Sequence, residues 1–360
     1  MKYIYYIIFL LFCSCNLQKS SDNITELYIV LNDEKKNASD FIEKMEVIVL
    51  ETNDNCLISN IDKVKYINEK LYILDRNINS LFVFNKDGSC DTILSKRGVG
   101  PGEYIQVVDF NVNDKYIQIM DHARSIKKYN HDLKFVSEIK FNNSFEFTAK
   151  DDILFLWNES TGSKTSHYIS CFNTKNKETR NYLKMPFGEY INYWIGGIDA
   201  FVTNKNNLYV SPKFGNTIYY YADNDFYPIY KIKFNKNNFP ENENIYEYYD
   251  THIQDTDLSY VFKNNYYVSD KYLIFNYDYD RNRHFCFYDM ITKELSNGII
   301  NNDFVDNFRF STRWGNDNYL IEEVAAEYVI NDFPSLIDFN EQLRDLKEDD
   351  NPIIIIYTLK

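Results

Sequence analysis

Residues 70–110 read KLYILDRNINSLFVFNKDGSCDTILSKRGVGPGEYIQVVDF. Three short apolar runs, at 71–74, 81–84 and 92–94, are separated by turn-forming residues at 75–79 and 85–88. Such runs between Asn, Asp and Gly clusters predict antiparallel strands joined by hairpins. Asn85-Lys86-Asp87-Gly88 is the sharpest turn, because glycine takes positive φ without a Cβ clash. A fainter copy follows over 115–141, KYIQIMDHARSIKKYNHDLKFVSEIKF, with the same succession of strand, Asp-headed loop, strand, Asn/Asp turn and strand. Two copies of one four-stranded unit predict a repeat architecture.

Six second strands are recognisable, starting at Leu71, Ile117, Ile153, Leu208, Leu273 and Leu320. Their spacings of 46, 36, 55, 65 and 47 residues bracket the period of propeller blades. The expected fold is therefore all-β, a six-bladed propeller of four-stranded antiparallel blades. The longest interval absorbs its excess in FPENENIYEYYDTHIQD, where Pro240 precedes an acidic turn and predicts a short helix near 240–255. A second helical insertion is expected near 333–348, from Leu336, Ile337, Leu343 and Leu346. The final run, IIIIYTLK at 353–360, leaves the last blade one strand short, whereas EVIVLE at 46–51 is a strand with no blade of its own. Pairing the two closes the ring and removes a sheet edge. One propeller domain over 41–360 is expected.

The front of the chain reads as an address. Lys2 precedes an apolar run at 3–12, about half the length that spans a bilayer. Small and sulfur residues, Cys13-Ser14-Cys15, end it, as in a secretory signal peptide over 1–14. Residues 15–40 are then expected to hold the modified cysteine and a tether. Without residues 1–14 the formal charge moves from -14 to -15 by loss of one lysine. So acidic a surface repels phosphate backbones and argues against nucleic acid as a partner. The 32 Tyr and 27 Phe favour pleated, half-buried surfaces. Cys56, Cys90, Cys171 and Cys286 form no CxxC, so zinc is unsupported. Export allows a disulfide, but Cys90, Cys171 and Cys286 sit in or beside apolar strand patterns, which favours buried free thiols.

The Phe12-Cys13-Ser14-Cys15 tetrad resembles a bacterial lipobox, with Cys15 as the lipid-bearing residue. Together with the GVGPGEY loop, the cadence of LYILD followed by LFVFNKDG and the closing EDDNPIIIIYTLK, it makes the chain similar to the six-bladed β-propeller lipoproteins of Bacteroidetes, relatives of NHL-repeat propellers. That resemblance implies an envelope protein lipid-anchored to the outer membrane, and says little about activity.

In such propellers the loops between second and third strands share one face with the blade-to-blade crossings, and that face usually binds ligand. Two crossings rhyme, Gly100-Pro101-Gly102-Glu103-Tyr104 and Pro186-Phe187-Gly188-Glu189-Tyr190, making Glu103, Tyr104, Glu189 and Tyr190 candidate contacts. The competing reading is that they fasten turns. His122 and His284, with nearby Arg124, Arg281 and Arg283, form a second set, and Trp157, Trp194 and Trp314 offer indoles for stacking on sugars. Arg76, Arg97 and Arg313 fall on the same face, so an anionic ligand is expected unless each arginine pairs with a neighbouring acid. No GxSxG, HExxH or phosphate-loop context occurs. A non-catalytic monomer that binds a glycan, peptide or envelope protein, without a cofactor, is the favoured reading. The alternative, suggested by related propellers that hold central calcium or zinc, is a metal-assisted hydrolase or lyase. It would need three or more His, Asp or Glu side chains converging on the channel, nominated from Asp121, His122, His284 and Glu322.

Overall fold

The computed structural model describes residues 24–122, 124–141, 144–158, 167–185, 199–212, 215–240 and 260–360. Cys15, Glu189, Tyr190, Trp194 and nearly all of the helix expected near 240–255 lie outside these residues. Six four-stranded antiparallel blades surround one axis, each running from inner to outer strand in chain order except where the ring closes. Blade 1 comprises Lys63–Ile67, Lys70–Asp75, Ser80–Asn85 and Cys90–Leu94. Blade 2 comprises Val107–Val112, Ile117–Asp121, Ser125–Tyr129 and Phe135–Lys140. Blade 3 follows with Glu146–Lys150, Ile153–Trp157, His167–Asn173 and Thr179–Lys184, and blade 4 with Phe201–Asn204, Asn207–Val210, Thr217–Ala222 and Asp225–Phe234. Blade 5 is Lys263–Val268, Tyr272–Tyr279, Asn282–Asp289 and Leu295–Asn301. All six residues expected to start second strands lie in them.

Blade 6 takes three strands from the end of the chain, Trp314–Asn316, Tyr319–Val324 and Ile353–Leu359, and its outermost strand, Ile42–Ile48, from the front. These last two run antiparallel, with Ile354 opposite Ile48 and Thr358 opposite Lys44. The front strand therefore starts and stops earlier than the 46–51 pattern. Past it, the Glu51 N–H donates to the Gly88 carbonyl at 2.8 Å, so the Asn85–Gly88 turn takes over from the strand ladder. Gly88 is required there: its φ is +86°, and an added Cβ would lie 1.9 Å from the Val49 carbonyl oxygen.

The expected tether over 15–40 is corrected from Thr25 onward. Thr25–Ile29 pairs parallel with the outer strand of blade 4, Thr25 opposite Tyr230, and Lys35–Asn37 pairs parallel with the outer strand of blade 5. Alternation decides it: Leu27, Ile29 and Leu31 are buried in the apolar layer between blades 4 and 5, where a solvated tether would leave them in water. The helical insertion is also larger than expected. It begins at Ala326–Asp332, continues through Pro334–Phe339, and ends in the 3-10 turn Glu341–Asp345. Pro334 starts the second helix in the position where its missing N–H costs nothing.

Apolar layers fill all six seams between neighbouring blades. The thinnest joins blades 2 and 3 through Met120, Ile126, Phe147, Leu154 and Leu156. Of the cysteines, Cys171 and Cys286 are buried free thiols, but Cys90 is disulfide-bonded to Cys56. The expectation of a free Cys90 fails because its strand pattern is only half-buried and its partner comes from residues 49–62, the link from blade 6 to blade 1. The bridge clips that link to blade 1 across a sequence separation of 34 residues. We expect Cys90→Ala to cost roughly 3–4 kcal/mol from loop entropy. Denaturant melts should show that loss, and reductant should destabilise the parent but not the variant.

Candidate functional site

The start of each inner strand faces the axis near the face that carries the crossings, and there charged residues replace the apolar ones. Lys63 of blade 1 is central. Its Nζ lies 2.9 Å from Asp109 Oδ1 of blade 2 and 3.4 Å from Asp199 Oδ1, which precedes blade 4 across the axis. Asp109 also accepts the Phe147 N–H at 2.9 Å, and Glu146 accepts those of Ala200 and Phe201 at 2.8 and 3.0 Å. Burial opposes the charge on Lys63, yet Asp109, Asp199 and Glu146 hold its ammonium well above the usual lysine range. One turn deeper, Lys65 donates to Asn111 Oδ1 at 2.8 Å, and burial beside Lys63 lowers it to about 8. Blades 5 and 6 add Lys263, which burial lowers to about 7, and Arg313, 2.8 Å from Glu323. Basic groups of blades 5, 6 and 1 thus oppose acidic groups of blades 2 to 4. The cavity left between them is about 40 Å³, room for a few waters.

This arrangement was not read from the sequence. The available signal is a charged residue opening a first strand: Lys63, Glu146 and Lys263.

The loop candidates divide by their partners. Arg76 Nη2 donates to Asp62 at 2.7 Å, Arg283 holds both carboxylate oxygens of Asp278 at 3.0 and 3.1 Å, and Arg313 is engaged as above. These three fasten loops. Arg97, Arg124 and Arg281 are exposed and have no ion-pair partner among the described residues, and Glu103 does not pair with Arg97. Glu103 instead accepts the Gly100 N–H at 2.8 Å and closes its own turn. Tyr104 is fully buried: its hydroxyl donates to the Leu94 carbonyl at 2.8 Å, accepts from the Lys96 N–H at 3.1 Å, and is pushed up to about 12 by burial. It holds the crossing to blade 1 and is removed from ligand contact.

Both described candidate indoles are structural. Trp157 stacks on Tyr168 at 5.1 Å in the layer between blades 3 and 4, and Trp314 lies buried beneath the Arg313 guanidinium. His284 is a strand residue, not a loop residue. It is fully buried, stacked on Tyr277 at 5.2 Å, with Nε2 facing Asp33 Oδ1 at 3.3 Å. His122 is exposed beside Arg124. Of the other nominated ligands, Asp121 binds Lys127 Nζ at 2.8 Å, and Glu322 accepts the Tyr357 hydroxyl at 2.9 Å. Among the described residues no three His, Cys, Asp or Glu side chains converge as a metal site. Asn265 Oδ1, both polar atoms of Asn276, and Thr312 Oγ1 are buried without hydrogen-bond partners among the described residues, in and above the seam of blades 5 and 6. Such atoms mark a place for ordered water.

Fold and axis together define a six-bladed propeller closed by its own ion network, with crossing loops held by fasteners. The chain belongs to the family described as Domain of unknown function (DUF4934), whose model matches residues 23–358. Its fold is similar to the crystal structure of an exported-protein candidate from Bacteroides fragilis, at a TM-score of 0.75 and 20% identity over 93% of this chain and 100% of that one. It is also similar to a member of the DUF4221 family from Bacteroides vulgatus, at 0.54 and 12%, over 89% and 97%. At these identities the likeness concerns the fold alone. No curated protein matches the chain.

Glu322, buried in blade 6 against the Tyr357 hydroxyl, gives the fold a pH dependence. Burial raises its carboxyl to about 8 from an ordinary 4.5, so the folded protein binds this proton more tightly than the unfolded chain. The stability it contributes is complete below about 4.5 and lost as pH rises from there through about 8. Glu322→Gln should flatten that part of the stability profile and be the more stable form at pH 9, as measured by denaturant melts across pH.

Proposed function

We propose that this chain is an exported lipoprotein of the bacterial cell envelope, anchored to the outer membrane through Cys15, that binds its partner and does not transform it. The partner is anionic: an acidic glycan, an acidic peptide or the carboxylate cluster of an envelope protein. One observation carries this reading. Among the described residues Arg97, His122 and Arg124 stand exposed and without ion-pair partners on the crossing face of blades 1 and 2, while other arginines of that face are committed to Asp62, Asp278 and Glu323. Around them lie exposed Val99 (91%), Ile105 (50%) and Ile78 (45%). A chain of formal charge -14 has acids enough to pair every arginine, so guanidinium groups kept apart from them favour a carboxylate supplied from outside. Export draws support from the leader pattern and from the exported-protein description of the Bacteroides fragilis relative, and anchoring from the leader pattern alone. The metal-assisted alternative draws none from the axis, because the acids that converge there are held by the Lys63 ammonium.

A panel of acidic and neutral glycans and peptides tests the recognition. Arg97→Ala with Arg124→Ala should weaken the acidic binder by at least about tenfold, the worth of one charge-assisted hydrogen bond or more, with unchanged melting temperature. Arg76→Ala should do the reverse, lowering the melting temperature while binding persists. Binding by the double variant at the parent affinity would end this reading. Cys15→Ala should move the protein from the membrane fraction to the soluble fraction, and unchanged retention on fractionation would refute the anchor.

A further inference from the structure

The larger hollow lies on the opposite face, at the tips of the first-to-second hairpins. Blades 2, 3 and 4 enclose about 460 Å³ there. That volume falls among those of small-molecule sites, roughly 300–1,000 Å³, and far exceeds the water-sized space at the axis. Its position follows from how the other tips are tied. Asp270 of blade 5 receives Lys205 Nζ at 2.7 Å and Asn318 Nδ2 at 3.2 Å, and the Lys205 N–H donates to Asp317 Oδ1 at 2.9 Å. Asn316 Nδ2 donates to the Tyr66 carbonyl at 2.7 Å. Blades 4, 5, 6 and 1 are thereby drawn together across this face. Between blades 2, 3 and 4 the face stays open, with one wall fixed by the Lys205 contacts.

The lining is amide and hydroxyl in character: Asn111, Asn113, Asn206 and Asn207, with Thr148 and Thr203. Three of the carboxamide oxygens already accept bonds within the protein, Asn111 from Lys65 Nζ, Asn113 from the Lys115 and Tyr116 N–H groups and Asn207 from the Tyr220 hydroxyl, which leaves the Asn206 carboxamide, the amide N–H groups of Asn113 and Asn207 and the two threonine hydroxyls to meet the hydroxyls of a polyol. At the floor, Asn111 is turned by its own bonds, accepting from Lys65 Nζ at 2.8 Å and donating to Gln118 Oε1 at 3.3 Å. Asn204 Oδ1, in the same hairpin as Asn206 and Asn207, is buried without a hydrogen-bond partner among the described residues. Lys150 supplies a cation at the rim, and Lys205 is spent on Asp270. Asp151 stands beside Lys150 at the rim, and Val112, Ala149 and Leu208 complete a lining that is mainly polar and suits a ligand that is itself polar.

We infer that the hollow enclosed by the hairpin tips of blades 2, 3 and 4 is a carbohydrate site that binds a short, neutral or weakly acidic oligosaccharide. It is separate from the anionic-partner face proposed above and uses none of its residues.

The test is an array of neutral and acidic oligosaccharides probed with protein starting after residue 15, followed by calorimetric titration of the strongest binder. Asn206→Trp fills the opening from an exposed position, and Lys150→Ala removes the rim cation. Asn206→Trp should abolish binding and Lys150→Ala should weaken it severalfold, each with unchanged melting temperature. Binding should persist in the Arg97→Ala, Arg124→Ala double variant. Three results overturn the inference: no oligosaccharide bound above background, binding indifferent to Asn206→Trp, or binding lost only in the arginine variant. The last would assign the sugar to the crossing face and leave the anionic-partner reading intact.

Discussion

Everything in this molecule depends on one strand pair. A propeller built of consecutive blades has two raw sheet edges where its ends meet, and each is a row of unpaired N–H and C=O groups. Here Ile42–Ile48 joins Ile353–Leu359, so the first blade-forming strand and the last strand of the chain share a sheet. Until both are made and paired, blades 6 and 1 have no fixed relation. Two further devices act on the same junction. The Cys56–Cys90 bridge fixes the link that leaves the pair, and the Thr25–Ile29 and Lys35–Asn37 strands press the approach to it against blades 4 and 5. Half of the ring is therefore belted from outside before it is closed.

Closure also sets the axis. Six inner strands meet at a spacing that admits side chains and little else, and their charged heads must neutralise one another or remain uncharged. Lys63 does the first, spanning Asp109 and Asp199. Lys65 and Lys263 show the second tendency, with burial lowering both toward neutrality. The consequence for function is spatial. Among the described residues the axis leaves about 40 Å³, room for water and not for a larger ligand, which is why both proposed sites lie on the faces.

Most of the fold was legible because its determinants are local. Strand alternation, the Asn85–Gly88 turn and the strand deficit at the end of the chain are each readable within a dozen residues. What escaped notice depends on neighbours distant in the chain. Thr25–Ile29 reads as a polar-flanked fragment until the layer between blades 4 and 5 is there to bury Leu27 and Ile29. Cys56 and Cys90 give no spacing signal, since a bridge between the closing link and an outer strand is a matter of ring geometry. The candidate site fared worse for the same reason. His284 and Tyr104 lie where the sequence puts conspicuous residues, yet Asn282, Asp33 and Leu94 consume their bonding groups. The axial charges stood unremarked at the heads of apolar strands.

A physical reason lies beneath this inversion. Long crossing loops order only if something offsets their lost entropy, and on a small blade the offset comes from side chains reaching backbone. Asp75 accepts the N–H groups of Ser59, Asn60, Asn77 and Ile78, and Asp121 accepts those of Ile105 and Gln106. Asp75, which ends LYILD, is thus a clamp that holds the incoming crossing and the outgoing loop together, and Asp121, which ends IQIMD, ties the incoming crossing to Lys127 of the third strand. The most patterned loop residues are fasteners, because fastening is what repeats from blade to blade. The two proposed sites use what does not repeat and is not consumed: on one face Arg97, His122 and Arg124, on the other the open hairpin tips of blades 2 to 4. In a repeat fold, function is found by subtracting the partners each side chain already has.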